Sequence, residues 1–197
     1  MCDVMPMMIE LLEITPDAET AIARAAAVCY DSDTSDDACQ RRVRHLMRMR
    51  HLSTLRFASA TFRIAGISRV TSHQLVRHPH LSYLQRSQRY VAEGDSRCVT
   101  PESWPVELLP AYYDLQQQAI ELYQQAVKMG AKKGDARYCL LQGTETEMVV
   151  SGNFQAWHDF ISRRTDKAAQ WEIRGVAESI RASLAHVAPI VFGRCDE

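Results

Sequence analysis

The chain has 197 residues, 46% of them hydrophobic and 24% charged. That is enough to bury a core, and it excludes a disordered or fibrous composition. The formal net charge of -1 argues against a general nucleic-acid binder, for which a basic domain is expected.

No apolar run approaches the roughly 18 residues of a membrane span. The start, MCDVMPMMIELLEI, lacks the basic n-region and cleavage site of a signal peptide. The six cysteines, Cys2, Cys29, Cys39, Cys98, Cys139 and Cys195, form no CxxC pair, so zinc-ribbon and thioredoxin chemistry have no support. A reduced, cytoplasmic protein is the expectation.

In chain order, TPDAETAIARAAAVCY predicts a helix with Thr15 as N-cap and Pro16 at its first position, placing Ile22, Ala26 and Cys29 on one face. DSDTSDD reads as a polar loop, and CQRRVRHLMRM as a second helix with Cys39, Val43, Leu46 and Met47 inward. FASATFRIAGI alternates, with Ala58, Ala60, Phe62 and Ile64 on one side and Ser59, Thr61 and Arg63 on the other; this is a strand that Gly66 should end. ISRVTSHQLVRH follows as a helix with Ile67, Val70, Thr71 and Leu75 on one face, and Pro79 should stop it before His78. The next residues read as irregular chain.

DSRCVTPESWP is a turn-rich link, and residues 110–129 predict a long helix with Tyr112, Leu115, Ala119, Leu122, Tyr123 and Ala126 as one stripe. MGAKKGD breaks it, DARYCLL is short and helix-like, and TETEMVVSGN is a second strand leading to Asn153. FQAWHDFISRR is a helix, and the last helix carries Ile173, Val176, Ile180, Leu184 and Val187 at helical spacing. With no repeat, linker or low-complexity tract, residues 1–197 read as a single α+β domain.

Several chemistries lack their templates. There is no GxxxxGK[ST], no GxGxxG after a strand and no GxSxG. His73, His78 and His80 are close, but no carboxylate or cysteine joins them at ligand spacing, so no metal site is expected. The most concentrated chemistry is RHPHLSYLQRSQRY, residues 77–90. It fits either a solvated basic surface or the wall of a site for an anionic aromatic ligand. Arginine recurs in DARYCLL (Arg137) and SRRTDKAAQWEI (Arg163, Arg164), and a planar guanidinium suits phosphates and ring edges. An arginine-rich composition from a GC-rich genome gives the same bias without a site.

RHPHLSYLQRSQRY resembles the signature of the flavin-dependent thymidylate synthases, RHR, then S, then S-x-R-Y. HLSTLRFASATFRIAGISRVTSHQLVRH is similar to the segment before it, DARYCLLQGTETEMVVSGN to the A-R-x-x-L-P segment, and NFQAWHDFISRRTDKAAQWEIR to the one ending R-x-x-x-x-A-Q-W-E-I. The likeness covers most of residues 17–193 in order. It implies an α+β fold with helices packed on an antiparallel or mixed sheet. It also implies a homotetramer with FAD where subunits meet, and a single catalytic domain. The implied reaction is C5-methylation of a uridine 5'-monophosphate, dUMP or, in a specialised pathway such as nucleoside-antibiotic biosynthesis, UMP. Methylenetetrahydrofolate gives the carbon, reduced FAD the hydride, and NADPH reduces the flavin. No nucleic acid, membrane or metal enters.

Carried over position by position, Gln74, Arg77, Ser87, Arg89 and Arg137 would hold the nucleotide. Arg164 would be the catalytic residue, binding the uracil and favouring its N3-ionised form. His51, Ser53, Arg77, His78, Gln85, Asn153 and Gln155 would face the flavin or folate. The chain departs from the pattern at Pro79 (normally Arg), Arg56-Phe57 (Glu-His), Leu84 (Asn), Leu141 (Pro), Ala168 (His) and Glu147 (a basic residue). These changes fall mainly on the cofactor side. They keep open an alternative, a non-catalytic flavin- or nucleotide-binding protein on the same fold.

Overall fold

The structure, a computed structural model, describes residues 6–30 and 33–193. Cys2 and Cys195 lie outside the described residues. Four strands form one sheet: β1 (Met8–Ile14), β2 (Ser59–Ser68), β3 (Leu81–Gln85) and β4 (Glu145–Asn153), in the order β1-β2-β4-β3. Neighbours run antiparallel. Thr15 N donates to Ser59 O at 3.0 Å on the β1–β2 side, Arg69 N to Thr144 O at 3.0 Å and Phe154 N to Ala58 O at 2.8 Å at the two ends of β2–β4, and Arg86 N to Glu147 O at 2.9 Å on the β3 side.

The helices are α1 (Ala18–Ala27), α2 (Asp36–Arg48), α3 (Arg69–Leu75), α4 (Leu109–Lys128), α5 (Lys133–Ala136), α6 (Phe154–Arg164), α7 (Trp171–Val187) and α8 (Pro189–Phe192). The chain divides into two compact units, one built mainly from Ile64–Leu75 and Leu84–Met148, the other from Ile9–Arg63, Val76–Tyr83 and the residues from Val149 on.

The second unit holds an aromatic core. Trp157 on α6 meets Phe62 of β2 edge-on at 5.2 Å and Phe160 at 5.9 Å, and its Nε1 donates to Ala60 O at 3.0 Å. A buried indole is thereby left with no unsatisfied donor. The α7 residues Ile173, Val176, Ile180 and Leu184 are fully buried, while Val187 at the helix end is exposed. In the first unit, α4 is fastened to the segment before it. Tyr112 Oη donates to Val99 O at 2.8 Å, Gln124 Nε2 donates to Gly94 O at 2.8 Å, and Tyr123 Oη accepts from Glu93 N at 3.3 Å.

Several expectations change. Helix α1 begins at Ala18, not at Pro16: Asp17 sits in the left-handed region at φ 45 with no side-chain cap. Cys29 falls in a 3-10 turn after α1 and is exposed. Gly66 does not end β2. It takes φ +71 inside the strand, where a Cβ would lie 2.8 Å from the Pro6 carbonyl, so a positive φ and a close backbone approach both require glycine. Ile67 therefore belongs to β2, and Val70 is exposed. On α4 the inward side chains are Tyr112, Gln116, Ile120 and Tyr123, whereas Leu115 and Leu122 face outward. Strands β1 and β3 were not expected, and LSYLQ after Pro79 is ordered sheet rather than irregular chain.

Candidate active site

In the first unit the signature turn and the α5 segment are docked. Ser87 O accepts from Val91 N at 2.9 Å and from Tyr90 N at 3.2 Å, closing a tight turn, and Ser87 Oγ accepts from Arg89 N at 3.3 Å. Arg89 lies 5.6 Å from the centre of the Tyr90 ring, a cation–π contact. Lys133 Nζ donates to Tyr90 O at 3.0 Å. Arg137 Nε donates to Gly134 O at 3.1 Å, and a Cβ on Gly134 would sit 3.4 Å from Arg89 Cγ. Two predicted nucleotide-binding arginines, distant in sequence, thus flank one glycine.

A cleft of about 360 Å³ is lined by Arg69, His73, Gln88, Arg137, Leu141 and Gln142, among others. Burial pushes the Arg69 guanidinium down from its ordinary pKa, Arg137 and Arg86 adding to the effect and Glu93 opposing it. Arg69 Nε is buried with no hydrogen-bond partner. The counter-charge is Glu93, 2% exposed, which accepts from Ser96 Oγ and lies 3.5 Å from Arg86 Nε. Sequence reasoning missed Arg69, Arg86, Gln88 and Glu93. The Arg69–His73 spacing of four residues on one helix face was the one readable signal. Gln74 is half-buried on α3 but is not a wall of this cleft. Gln85 Nε2 is committed to Ser72 Oγ at 3.0 Å and Thr146 Oγ1 at 3.2 Å, leaving its carbonyl oxygen for a ligand.

In the second unit, α6 delivers Arg164 to His78. Arg164 Nε donates to His78 Nε2 at 2.7 Å, His78 stacks edge-on against Phe160 at 4.9 Å, and the His78 carbonyl accepts from Tyr83 Oη at 2.8 Å. Burial, then the charges of Arg164 and Arg163, push His78 down to about 4. The imidazole is therefore neutral, and Nδ1 carries its proton. Arg164 is fixed through one nitrogen, and its Nη1 and Nη2 make no hydrogen bond with a described residue. Arg77 is exposed in the following turn, where His80 takes φ 67 just after Pro79.

A second cleft, about 600 Å³, has apolar walls from Ala26, Leu46 and Leu52 and a polar rim from Arg50, His51, Ser53, Thr54 and Gln155. Three predicted cofactor residues, His51, Ser53 and Gln155, are brought together here. Gln155 Oε1 accepts from Arg56 Nε at 2.6 Å, so the residue replacing the expected Glu orients the Gln155 amide. Asn153 differs in role: its side chain caps α6 by accepting from Ala156 N at 2.9 Å. Of the other departures, Phe57 and Leu84 are exposed at 65% and 76%, and Ala168 N donates to Asp166 Oδ1 at 2.8 Å in an exposed turn.

The profile of the thymidylate synthase complementing protein family matches residues 10–190. The chain belongs to the flavin-dependent thymidylate synthase family. Enzymes of that name from Geobacter sulfurreducens are 37% identical over 198 aligned residues, covering 94% of this chain and 85% of theirs. Those from Mycobacteroides abscessus are 39% identical, covering 78% and 68%. Those from Mycobacterium tuberculosis are 40% identical, covering 76% and 67%. Among solved structures, the UMP/dUMP methylase PolB of Streptomyces cacaoi, bound with 5-Br dUMP, superposes with a TM-score of 0.81 at 23% identity, covering 95% of this chain and 93% of that one. The superposition shows that the chain shares the fold of that structure.

Proposed function

We propose that this chain is a flavin-dependent uridylate C5-methyltransferase acting on dUMP or UMP. The observation that carries the reading is Arg164, held by a neutral histidine with both Nη groups available. A guanidinium so fixed can bond a uracil oxygen and the deprotonated ring nitrogen, stabilising the anion and raising electron density at C5. Relatives named flavin-dependent thymidylate synthases and a structural neighbour named a UMP/dUMP methylase support the same chemistry.

Ser87, Arg89 and Arg137, with Gln74, serve the nucleotide, and Arg77 and Arg89 would neutralise its phosphate. His51, Ser53 and Gln155 would hold the flavin or folate, with Arg77, His78, Gln85 and Asn153. The 600 Å³ cleft fits such a group, since its apolar walls suit a planar ring and its hydroxyl, amide and imidazole groups suit a polar ring edge. Reduced FAD, once bound, supplies the hydride; methylenetetrahydrofolate would supply the carbon, and NADPH the electrons. A cytoplasmic setting belongs to the same reading, because NADPH and reduced folates are the proposed cosubstrates.

We further propose a homotetramer, with FAD at subunit interfaces. On α4 and its flanks, Leu108, Leu115, Leu122 and Met129 recur every seven residues and are 52%, 54%, 54% and 88% exposed. An apolar stripe at heptad spacing suits a helix of a second copy.

The deciding experiment incubates FAD-loaded protein with methylenetetrahydrofolate, a reductant and either dUMP or UMP, and reads products by mass. A 5-methyl nucleotide is expected from at least one. Stoichiometric flavin with no methylated product from either leaves the non-catalytic binder, which the substitutions at Pro79, Arg56-Phe57 and Ala168 would then explain.

A further inference from the structure

Helix α2 ends in paired bonds: Arg50 N donates to Met47 O at 3.1 Å and His51 N to Leu46 O at 2.9 Å. This 5→2 and 6→1 pattern is a Schellman motif, and it forces the residue after the cap into the left-handed region. Arg50 occupies that position with φ 55. Glycine is the usual solution there because it has no Cβ to crowd the following carbonyl. Arginine brings a side chain at a conformational cost, and that side chain lines the 600 Å³ cleft beside His51, Ser53 and Gln155. No carboxylate is among the cleft's walls. Among the described residues, no side-chain hydrogen bond or ion pair engages the Arg50 guanidinium. A second guanidinium stands behind the rim, because Arg56 spends only its Nε on Gln155.

We propose that Arg50 is a specificity residue that anchors the anionic end of the ligand held in this cleft. A guanidinium fork matches an oxyanion bidentately. The oxyanion is a phosphate if the anchored ligand is the flavin dinucleotide, or a carboxylate if it is the folate. The inference rests on the reading of this cleft as the flavin and folate site. It adds a residue at which the backbone favours glycine.

The test uses the full-length protein with Arg50→Gly, which removes the guanidinium and relaxes the backbone, so the melting temperature is expected to match or exceed wild type. FAD and riboflavin are titrated by flavin fluorescence. If the anchor holds the phosphate, the Kd for FAD rises about tenfold, the salt dependence of FAD binding weakens, and riboflavin binding is unchanged. If it holds the carboxylate, FAD binding is unchanged and the KM for methylenetetrahydrofolate rises about tenfold at constant kcat. In that case a pterin lacking the glutamate tail is insensitive to the substitution. Arg50→Lys restores part of either loss, since it returns the charge without the fork. An Arg50→Gly protein that matches wild type for FAD, riboflavin and folate overturns the inference while leaving the proposed function standing. A wild-type protein that takes up neither flavin nor folate overturns both.

Discussion

Arg164 keeps its place only while His78 accepts its Nε–H, so the protonation of one buried imidazole governs the geometry of the proposed catalytic group. His78 sits at about 4 in the fold against an ordinary 6.5. As pH falls the unfolded chain therefore takes up the proton first, and stability declines between about 6.5 and about 4 with no loss above that window. Urea midpoints measured across it should show the decline. The substitution His78→Gln, which keeps an acceptor and removes the titration, should flatten most of it; His158, pushed down by burial, adds to the decline in the same sense, while Glu19 and Glu145, pushed up by burial, oppose it. An undiminished slope in His78→Gln would remove His78 from this role. The substitution Arg164→Ala should lower kcat by about 100-fold or more, on the scale of losing one preorganised donor at a developing charge. Nucleotide affinity, measured by calorimetry, should shift far less, and equal losses in both would contradict an activating role. The sequence led to these two residues through the order of the signature segments. It did not reveal the bond between them, because 86 residues separate them. Nor did it reveal Arg69, Arg86 and Glu93, whose mutual influence exists only once Glu93 is buried.

The helix α6 shows how a single element positions the chemistry. Asn153 caps its first turn, Trp157 and Phe160 lock its buried face into the aromatic core, and Arg164 ends it. The variant Asn153→Ala should cost about 1 kcal/mol in chemical denaturation, with Asn153→Ser recovering most of it. Truncating Trp157→Ala should cost about 3–5 kcal/mol, because it empties a fully buried site and removes the Trp157 Nε1 bond to Ala60 O. If thermal and chemical denaturation show losses below 1 kcal/mol, the core is not organised around this residue. Elements with a strong internal period, such as α6, α7 and the first half of β2, were legible from the sequence. Strands β1 and β3 were not. The MIELLEI of β1 has glutamates three residues apart, at Glu10 and Glu13, which breaks the alternation of a strand, and the five residues of β3 directly follow a proline turn. Both become strands through pairing with distant partners, a context-dependent preference that short windows do not register. The outward turn of Leu115 and Leu122 was hidden for a related reason. Tyr112 and Tyr123 bury themselves with hydroxyls bonded to neighbouring chain, Gln116 is buried on the same face, and two leucines sit outside.

At the scale of the proposed tetramer, the exposed leucines of α4 are the feature to test. Replacing Leu115 and Leu122 together with Glu should reduce the particle to dimers or monomers in light scattering after size exclusion, while circular dichroism retains the helical signal. A double variant that stays tetrameric would place the contacts elsewhere. The stripe has a thermodynamic corollary. If copies cover one another there, each folded chain is stabilised by mass action, so the unfolding temperature becomes a function of how concentrated the sample is. Highly dilute stocks would then inactivate sooner on warming than micromolar ones, and a loss of activity on dilution would report subunit separation rather than damage to the catalytic groups.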